Sequence, residues 1–207
     1  MLGIVSKAVV AFGMAGAALL AVSAKSFAGP ETASFATLGP ETSVPYGWVD
    51  FCQRYRGECP DEETSPEQIE LTAAVSRKIA RINAWVNENI DPVADAEHWG
   101  AVDQWDYPSD GKGDCEDFAL LKRHMLIEEG FPRQALLLTV VKEKNGEGHS
   151  VLTVKTNRGE FILDNLSNDM RPWTRVPYRF VKRQSQHNQN AWVAIGPPTS
   201  APLYVSR

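Results

Sequence analysis

The chain has 207 residues, 43% of them hydrophobic, and a formal net charge of −5 at pH 7. That is enough apolar material for one domain with a full core. The acidic balance, with no clustered Lys/Arg stripe, argues against nucleic acid as a partner, and the three cysteines form neither a CxxC redox pair nor a zinc ligand set.

The N-terminus reads as a secretory signal peptide over residues 1–28: Lys7, then the apolar run "AVVAFGMAGAALLAV" from Ala8 to Val22, then the small residues of "SAKSFAG". Cleavage after Ala28 fits best, with Ala24 as the other site. The run is short for a membrane-spanning helix, which needs ~20 apolar residues, so no stable membrane insertion is expected after cleavage. Losing Lys7 and Lys25 takes the net charge from −5 to −7. Residues 29–45, "GPETASFATLGPETSVP", are small, polar and rich in Pro and Gly, the composition of a flexible lead or an extended arm. The folded domain is expected over 46–207. It opens on "WVDFCQRYRGECPDE", a turn-like segment with Gly57 and Pro60 in which Cys52 and Cys59 are natural partners for a short-loop disulfide in an oxidising compartment. Cys115 is then an odd thiol, either buried and inert or reactive.

From Ser65 the pattern turns helical. Ile69, Ala73, Ile79, Ile82, Val86 and Ile90 recur at three-to-four spacing and predict an amphipathic helix from Pro66 to Asn89, stopped by Asp91-Pro92. Residues 91–112 read as loop, carrying Trp99, Trp105 and Tyr107 among Asp95, Asp103, Asp106 and Asp110. A second helix runs from Asp114 to about Glu129, closed by Gly130 and Pro132. "ALLLTVV" (135–141) reads as a central strand, "HSVLTVKT" (149–156) and "GEFILDNL" (159–166) as a hairpin, and "YRFVKRQSQ" and "NAWVAIG" as short strands. Helices followed by antiparallel strands make an α+β fold.

The chemistry concentrates in "GKGDCEDFALLKRHMLIEEGFP", Gly111 to Pro132, which sets Cys115 at the first turn of a helix between Asp114 and Glu116, with Asp117 beyond. Neighbouring carboxylates oppose a thiolate, whereas the orphan N–H groups and dipole of a helix N-terminus favour one. At about 100° per residue, Cys115 shares a face with Phe118, Ala119 and Lys122, and Glu116 and Asp117 lie to the other side. The acids then need not touch the sulfur. They can end in solvent, or converge with Asp114 and the preceding loop on a hard cation such as Ca²⁺, which takes about six to eight oxygens. Lys112 stands where an EF-hand loop needs an acid or amide, so that motif is not met.

A nucleophilic cysteine needs a base. His149 opens one strand of the hairpin and Asp164 lies on the other. If the turn holds an even number of residues, such as the four from Thr156 to Gly159, Lys155 opposes Glu160, Val151 opposes Asp164, and His149 lies diagonally from Asp164 on the same face. Diagonal neighbours are ~7–8 Å apart at Cα, within reach of an imidazole and a carboxylate. A three-residue turn would put them on opposite faces, leaving a turn histidine and a strand-end cap. His98, His124 and His187 lack such a placement.

These motifs resemble the bacterial transglutaminase-like cysteine proteinases, whose best-known members are LapG-type periplasmic proteases. The likeness rests on "GDCEDFALLK" around Cys115, "GHSVLTV" around His149 and "GEFILDNL" around Asp164, in that order, with "INAWVNENI" and "DQWDYP" before them. It implies a papain-like or transglutaminase-like core, its nucleophile at a helix N-terminus packed on an antiparallel β-sheet. It implies a triad of Cys115, His149 and Asp164 and a calcium site beside the nucleophile at Asp114, Glu116 and Asp117. The oxyanion is expected on the backbone N–H of Cys115 and a donor from the preceding loop, for which Gln104 is a guess. The implied activity is that of a calcium-dependent cysteine endopeptidase, periplasmic or alternatively secreted. In the LapG-type branch the substrate is a large surface adhesin, and an inner-membrane cyclic-di-GMP receptor sequesters the enzyme. The Cys52–Cys59 loop is not part of that branch's pattern. Two other readings fit the same residues: an acyl transferase of transglutaminase type, with an amine as acceptor, and a non-catalytic binding module on the same scaffold.

Overall fold

The computed structural model describes residues 33–196, together with Gly3 and Val205. Apart from Gly3, the expected leader (1–28) lies outside the described residues. In chain order the elements are β1 (Leu38–Thr42), α1 (Tyr46–Arg54), α2 (Ala73–Asn89), β2 (Asp91–Pro92), α3 (Asp95–His98), β3 (Lys112–Gly113), α4 (Cys115–Glu128), β4 (Leu136–Lys142), β5 (Gly148–Thr156), β6 (Gly159–Asp164), β7 (Ser167–Pro172), β8 (Arg179–Gln184) and β9 (Trp192–Ile195). Seven strands form one antiparallel sheet in the order β1-β9-β8-β4-β5-β6-β7, while β2 and β3 make a small parallel pair. No helix among the described residues is long and apolar enough to cross a membrane.

The apolar run read as a central strand is the middle strand of the sheet, β4, buried from Leu136 to Val141. Both of its faces are covered. Leu136, Leu138 and Val140 join the main core with Ile79 of α2 and Ala119, Leu120 and Leu126 of α4. Val141 joins Val151 and Ile162 on the opposite face, under Trp173, Val176, Tyr178 and Phe180. A fully buried side chain of this size stabilises by ~1.5–3 kcal/mol, so β4 anchors the sheet. From residue 33 to 45 the polar arm is extended: β1 pairs with β9 at one edge of the sheet, and Ala36 N–H donates to buried Glu160 at 3.2 Å.

Four stretches depart from the sequence reading. The segment 91–112, read as loop, carries β2, α3 and the first residue of β3, with Asp91 N–H donating to Gly111 O at 2.8 Å. The helix expected from Pro66 begins at Ala73, where Thr72 Oγ1 caps Val75 N–H at 3.2 Å. The preceding residues are held extended by the hairpin tip. Ile69 N–H donates to Lys155 O and Ile69 O accepts from Asn157 N–H, both at 3.0 Å, and Leu71 N–H donates to Asn157 Oδ1 at 2.9 Å. Ile69 and Leu71 are buried with Glu70 exposed between them, a period-two pattern within what looked like a helical one. The cystine segment is helical, not turn-like, over α1, because Trp48 and Phe51 fall on one side of a helical turn and stack in the core. Gly47 is required there: a Cβ would sit 2.2 Å from Trp105 Cδ1. Cys52 and Cys59 are disulfide-bonded, with their Cα atoms 5.5 Å apart. Finally, the polar residues Ser167–Pro172 form the edge strand β7. It has no apolar alternation to announce it and is fixed by Asn83 and Asn87 of α2, whose amides donate to Ser167 O at 2.8 and 3.2 Å.

The helix carrying Cys115 follows the sequence closely. Asp114 and Asp117 form a capping box, with Asp114 N–H donating to Asp117 Oδ2 at 3.3 Å. At the other end Gly130 takes φ +86°, the left-handed conformation that ends a helix and that a side chain disfavours.

Candidate active site

Cys115 is the first residue of α4 and comes to the end of β5, where Ser150 N–H donates to its Sγ at 3.3 Å. The β5–β6 hairpin has the even turn: Lys155 opposes Glu160 and Leu152 opposes Leu163. That register turns His149 and Asp164 to one face, and His149 Nε2 meets Asp164 Oδ1 at 3.0 Å. Cys115, His149 and Asp164 are all buried.

The imidazole is strongly disposed to hold a proton. Burial opposes the charge, but the Asp164 carboxylate and the neighbouring Cys115 outweigh it and push the pKa up to about 10. His149 Nδ1, the nitrogen not bonded to Asp164, is buried with no hydrogen-bond partner of its own. Burial likewise works against the Asp164 carboxylate, yet hydrogen bonds from His149, Tyr178 and the Leu166 N–H hold it below its ordinary value. Lys122, two turns along α4, is also buried. Desolvation lowers its pKa to about 7 against the pull of Asp164, and its ammonium lies 5.7 Å from the Phe118 ring centroid.

Beside the thiol is a nest of carboxylates. Ligand-type atoms of Asp95, Asp103 and Glu116 lie within 4.8 Å of one another, as do those of Asp95, Asp114 and Asp117. The loop of residues 95–106 wraps the first turn of α4 to bring them together. Asp95 N–H donates to Asp114 Oδ2 at 3.2 Å, Gln104 N–H donates to Asp95, and Asp106 N–H donates to Asp117 Oδ1 at 2.6 Å. Desolvation drives these acids toward the protonated form: Asp95 and Asp103 to about 6, Asp117 to about 9, and Glu116 well upward. Asp95 Oδ1 and Glu116 Oε1 are buried without a hydrogen-bond donor. Converging hard oxygens, two of them unsatisfied, are a donor set that fits a calcium ion.

One expectation fails here. The helical wheel kept Glu116 clear of the sulfur, but Cys115 Sγ–H donates to Glu116 Oε2 at 3.1 Å. The wheel fixes the Cα–Cβ direction of each residue. It does not limit a long side chain in the first turn, where no preceding turn stands in the way. Glu116 therefore faces both ways, one oxygen on the thiol and the other in the acid nest. Gln104 is not spent on Cys115: its side-chain amide bonds Asp106 at 3.5 Å. Asp95 and Asp103 were visible only as members of an acid-rich loop. Tyr178, whose hydroxyl donates to Asp164 Oδ2 at 2.5 Å, carried no motif that could have singled it out.

Residues 38–200 match the family model described as bacterial transglutaminase-like cysteine proteinase. Among solved structures the chain is similar in fold to calcium-bound LapG of Legionella pneumophila, with 22% identity, 63% of this chain and 75% of that chain covered, and a TM-score of 0.50. It also matches an EGTA-treated LapG of the same organism, with 24% identity, 61% and 69% covered, and a TM-score of 0.47. No match was found among curated proteins.

Proposed function

The chain belongs to the bacterial transglutaminase-like cysteine proteinases, a family of cysteine peptidases, and we propose that Cys115, His149 and Asp164 are the residues with which it cleaves a peptide bond. The observation that carries this is the 3.0 Å contact of His149 Nε2 with Asp164, which leaves the other ring nitrogen for a sulfur bonded to the next residue of the same strand.

Cys115 Sγ gives its proton to His149 Nδ1 and attacks the peptide carbonyl carbon. The oxygen that gains the charge is held by the backbone N–H of Cys115, one of the orphan donors of α4, with Gln104 as a second donor once its amide leaves Asp106. A single such donor is worth ~2.7–4 kcal/mol in the transition state. His149 passes its proton to the leaving amine as the C–N bond breaks, and a thioester remains on Cys115. A water molecule then attacks the thioester carbon while His149 takes its proton. The C–S bond breaks and the new carboxyl terminus departs. Throughout, Asp164 keeps the Nε2–H side of the ring fixed.

Calcium is the cation we assign to the acid nest, held by Asp114, Glu116 and Asp117 together with Asp95 and Asp103. When bound, it supplies the positive charge that keeps these buried carboxylates ionised and ties the 95–106 loop to the first turn of α4. The calcium-bound state of the similar LapG structure supports the choice. The substrate we propose is a surface or periplasmic protein of the large-adhesin kind, with the enzyme in the periplasm and an inner-membrane cyclic-di-GMP receptor as its regulator. These three assignments rest on the family resemblance.

The test is to incubate the purified mature protein, with calcium, against the envelope proteins of its host and sequence new N-termini. Cleavage is expected with the native enzyme and none with Cys115→Ala; cleavage retained in that variant would refute the assignment. Adding a primary amine to the same incubation separates hydrolysis from acyl transfer, since incorporated amine would mark the latter.

A further inference from the structure

Asp164 is gripped from a direction the triad does not account for. Its Oδ1 accepts from His149 Nε2 and from Leu166 N–H, at 3.0 and 3.1 Å. Its Oδ2 accepts from the hydroxyl of Tyr178 at 2.5 Å. Tyr178 arrives from far off in the sheet. It immediately precedes β8, which is separated from β6 by both β4 and β5. To reach Asp164 the phenol must pass over His149, and the two rings lie tilted with their centroids 5.2 Å apart. Arg179, the next residue, is fixed opposite Lys142 of β4, so the sheet itself sets the approach of the phenol.

We propose that Tyr178 is a positioning residue of the catalytic apparatus: its hydroxyl fixes the second oxygen of Asp164 while its ring covers His149. This rests on the triad assignment above and extends it. A carboxylate with one oxygen bound can pivot about its Cβ–Cγ bond and swing its acceptor lobe away from the imidazole. Pinning both oxygens removes that freedom. The shape of the pair does the rest, because a ring lying across the imidazole keeps water from competing for the Asp164 bond. The neighbours of this carboxylate are His149 from β5, Lys122 from α4 and Tyr178, while Glu143 and Arg171 act on the phenol itself.

The variant that isolates the hydroxyl is Tyr178→Phe, which keeps the ring. The readout needs no natural substrate: the rate of Cys115 alkylation by iodoacetamide, followed by mass spectrometry across pH, with a thermal melt alongside. Losing a hydrogen bond to a charged group should slow alkylation at neutral pH by about tenfold or more, the melt recording any loss of stability separately. The Asp164 carboxylate loses a donor that favours its ionised form, so it protonates sooner as pH falls, and the acid limb of the profile should move to higher pH. In an Asp164→Asn background, Tyr178→Phe should cost nothing further. A Tyr178→Phe profile that overlays the native one, or an equal loss in the Asp164→Asn background, overturns the proposal and leaves the triad standing. A native Cys115 that resists iodoacetamide altogether sinks the triad assignment and this proposal with it.

Discussion

Two groups of buried charge lie in this molecule, and they are built on opposite rules. On the sheet, Glu160 is met by Arg183 at 2.7 Å and Lys155 at 3.1 Å, so its charge is answered by the protein's own cations. At the head of α4, Asp95, Asp103, Asp114, Glu116 and Asp117 converge, with donors that are mostly backbone N–H groups. Buried charge is expensive unless it is compensated. The first group spends that cost on holding strands together, whereas the second leaves acids raised toward neutrality beside a thiol. Strongly shifted acids clustered beside a buried thiol are what a functional site is expected to show.

The contrast breaks most visibly when one partner of the compensated group is removed. Glu160→Gln strands Arg183 and Lys155 in the sheet and should cost about 3–5 kcal/mol, read as a fall in the denaturation midpoint that is the same in calcium and in EGTA. A loss under about 1 kcal/mol, on the scale of a surface pair, would mean the two groups do not differ as described.

The acid nest should behave the other way. Calcium at a hundredfold excess over its dissociation constant is expected to add ~2.7 kcal/mol of stability, seen as a rise in melting temperature. Asp117→Asn should lose that gain in calcium, beyond the fall that weakening the α4 capping box causes in EGTA. A native melt indifferent to calcium would remove the metal from the account.

A third effect is one of pH. His149 titrates near 10 in the folded chain against 6.5 unfolded, so the folded state binds the proton more tightly. The stability this provides is whole below about pH 6.5 and drains away as pH rises through about 10. Asp164→Asn weakens the interaction, so the gap between native and variant in urea unfolding should narrow over that window. A gap that holds constant from pH 6 to 10 would show that the pair carries no such linkage.

Sequence patterns reached Cys115, His149 and Asp164 better than their surroundings. The register of the β5–β6 hairpin follows from an even turn, and with it the meeting of His149 and Asp164, because period-two geometry is rigid. Cys115 at a helix tip follows from a helix that starts at Asp114 and is closed by Gly130 and Pro132. What escaped was decided by long-range packing. Ile69 and Leu71 were drawn into extended backbone by the tip of a hairpin far along the chain. Asp95 and Asp103 were brought to α4 by a loop that has no period. Glu116 folded back on the sulfur by side-chain freedom, and Tyr178 reached Asp164 across two intervening strands.

The central claim is that His149 makes a nucleophile of Cys115. Alkylation of Cys115 by iodoacetamide in the native protein and in His149→Ala, at neutral pH with calcium present, tests it directly. The account predicts rapid labelling of the native thiol and a loss of about a hundredfold or more in the variant, within the range that general-base assistance supplies. Equal rates in the two proteins would contradict it.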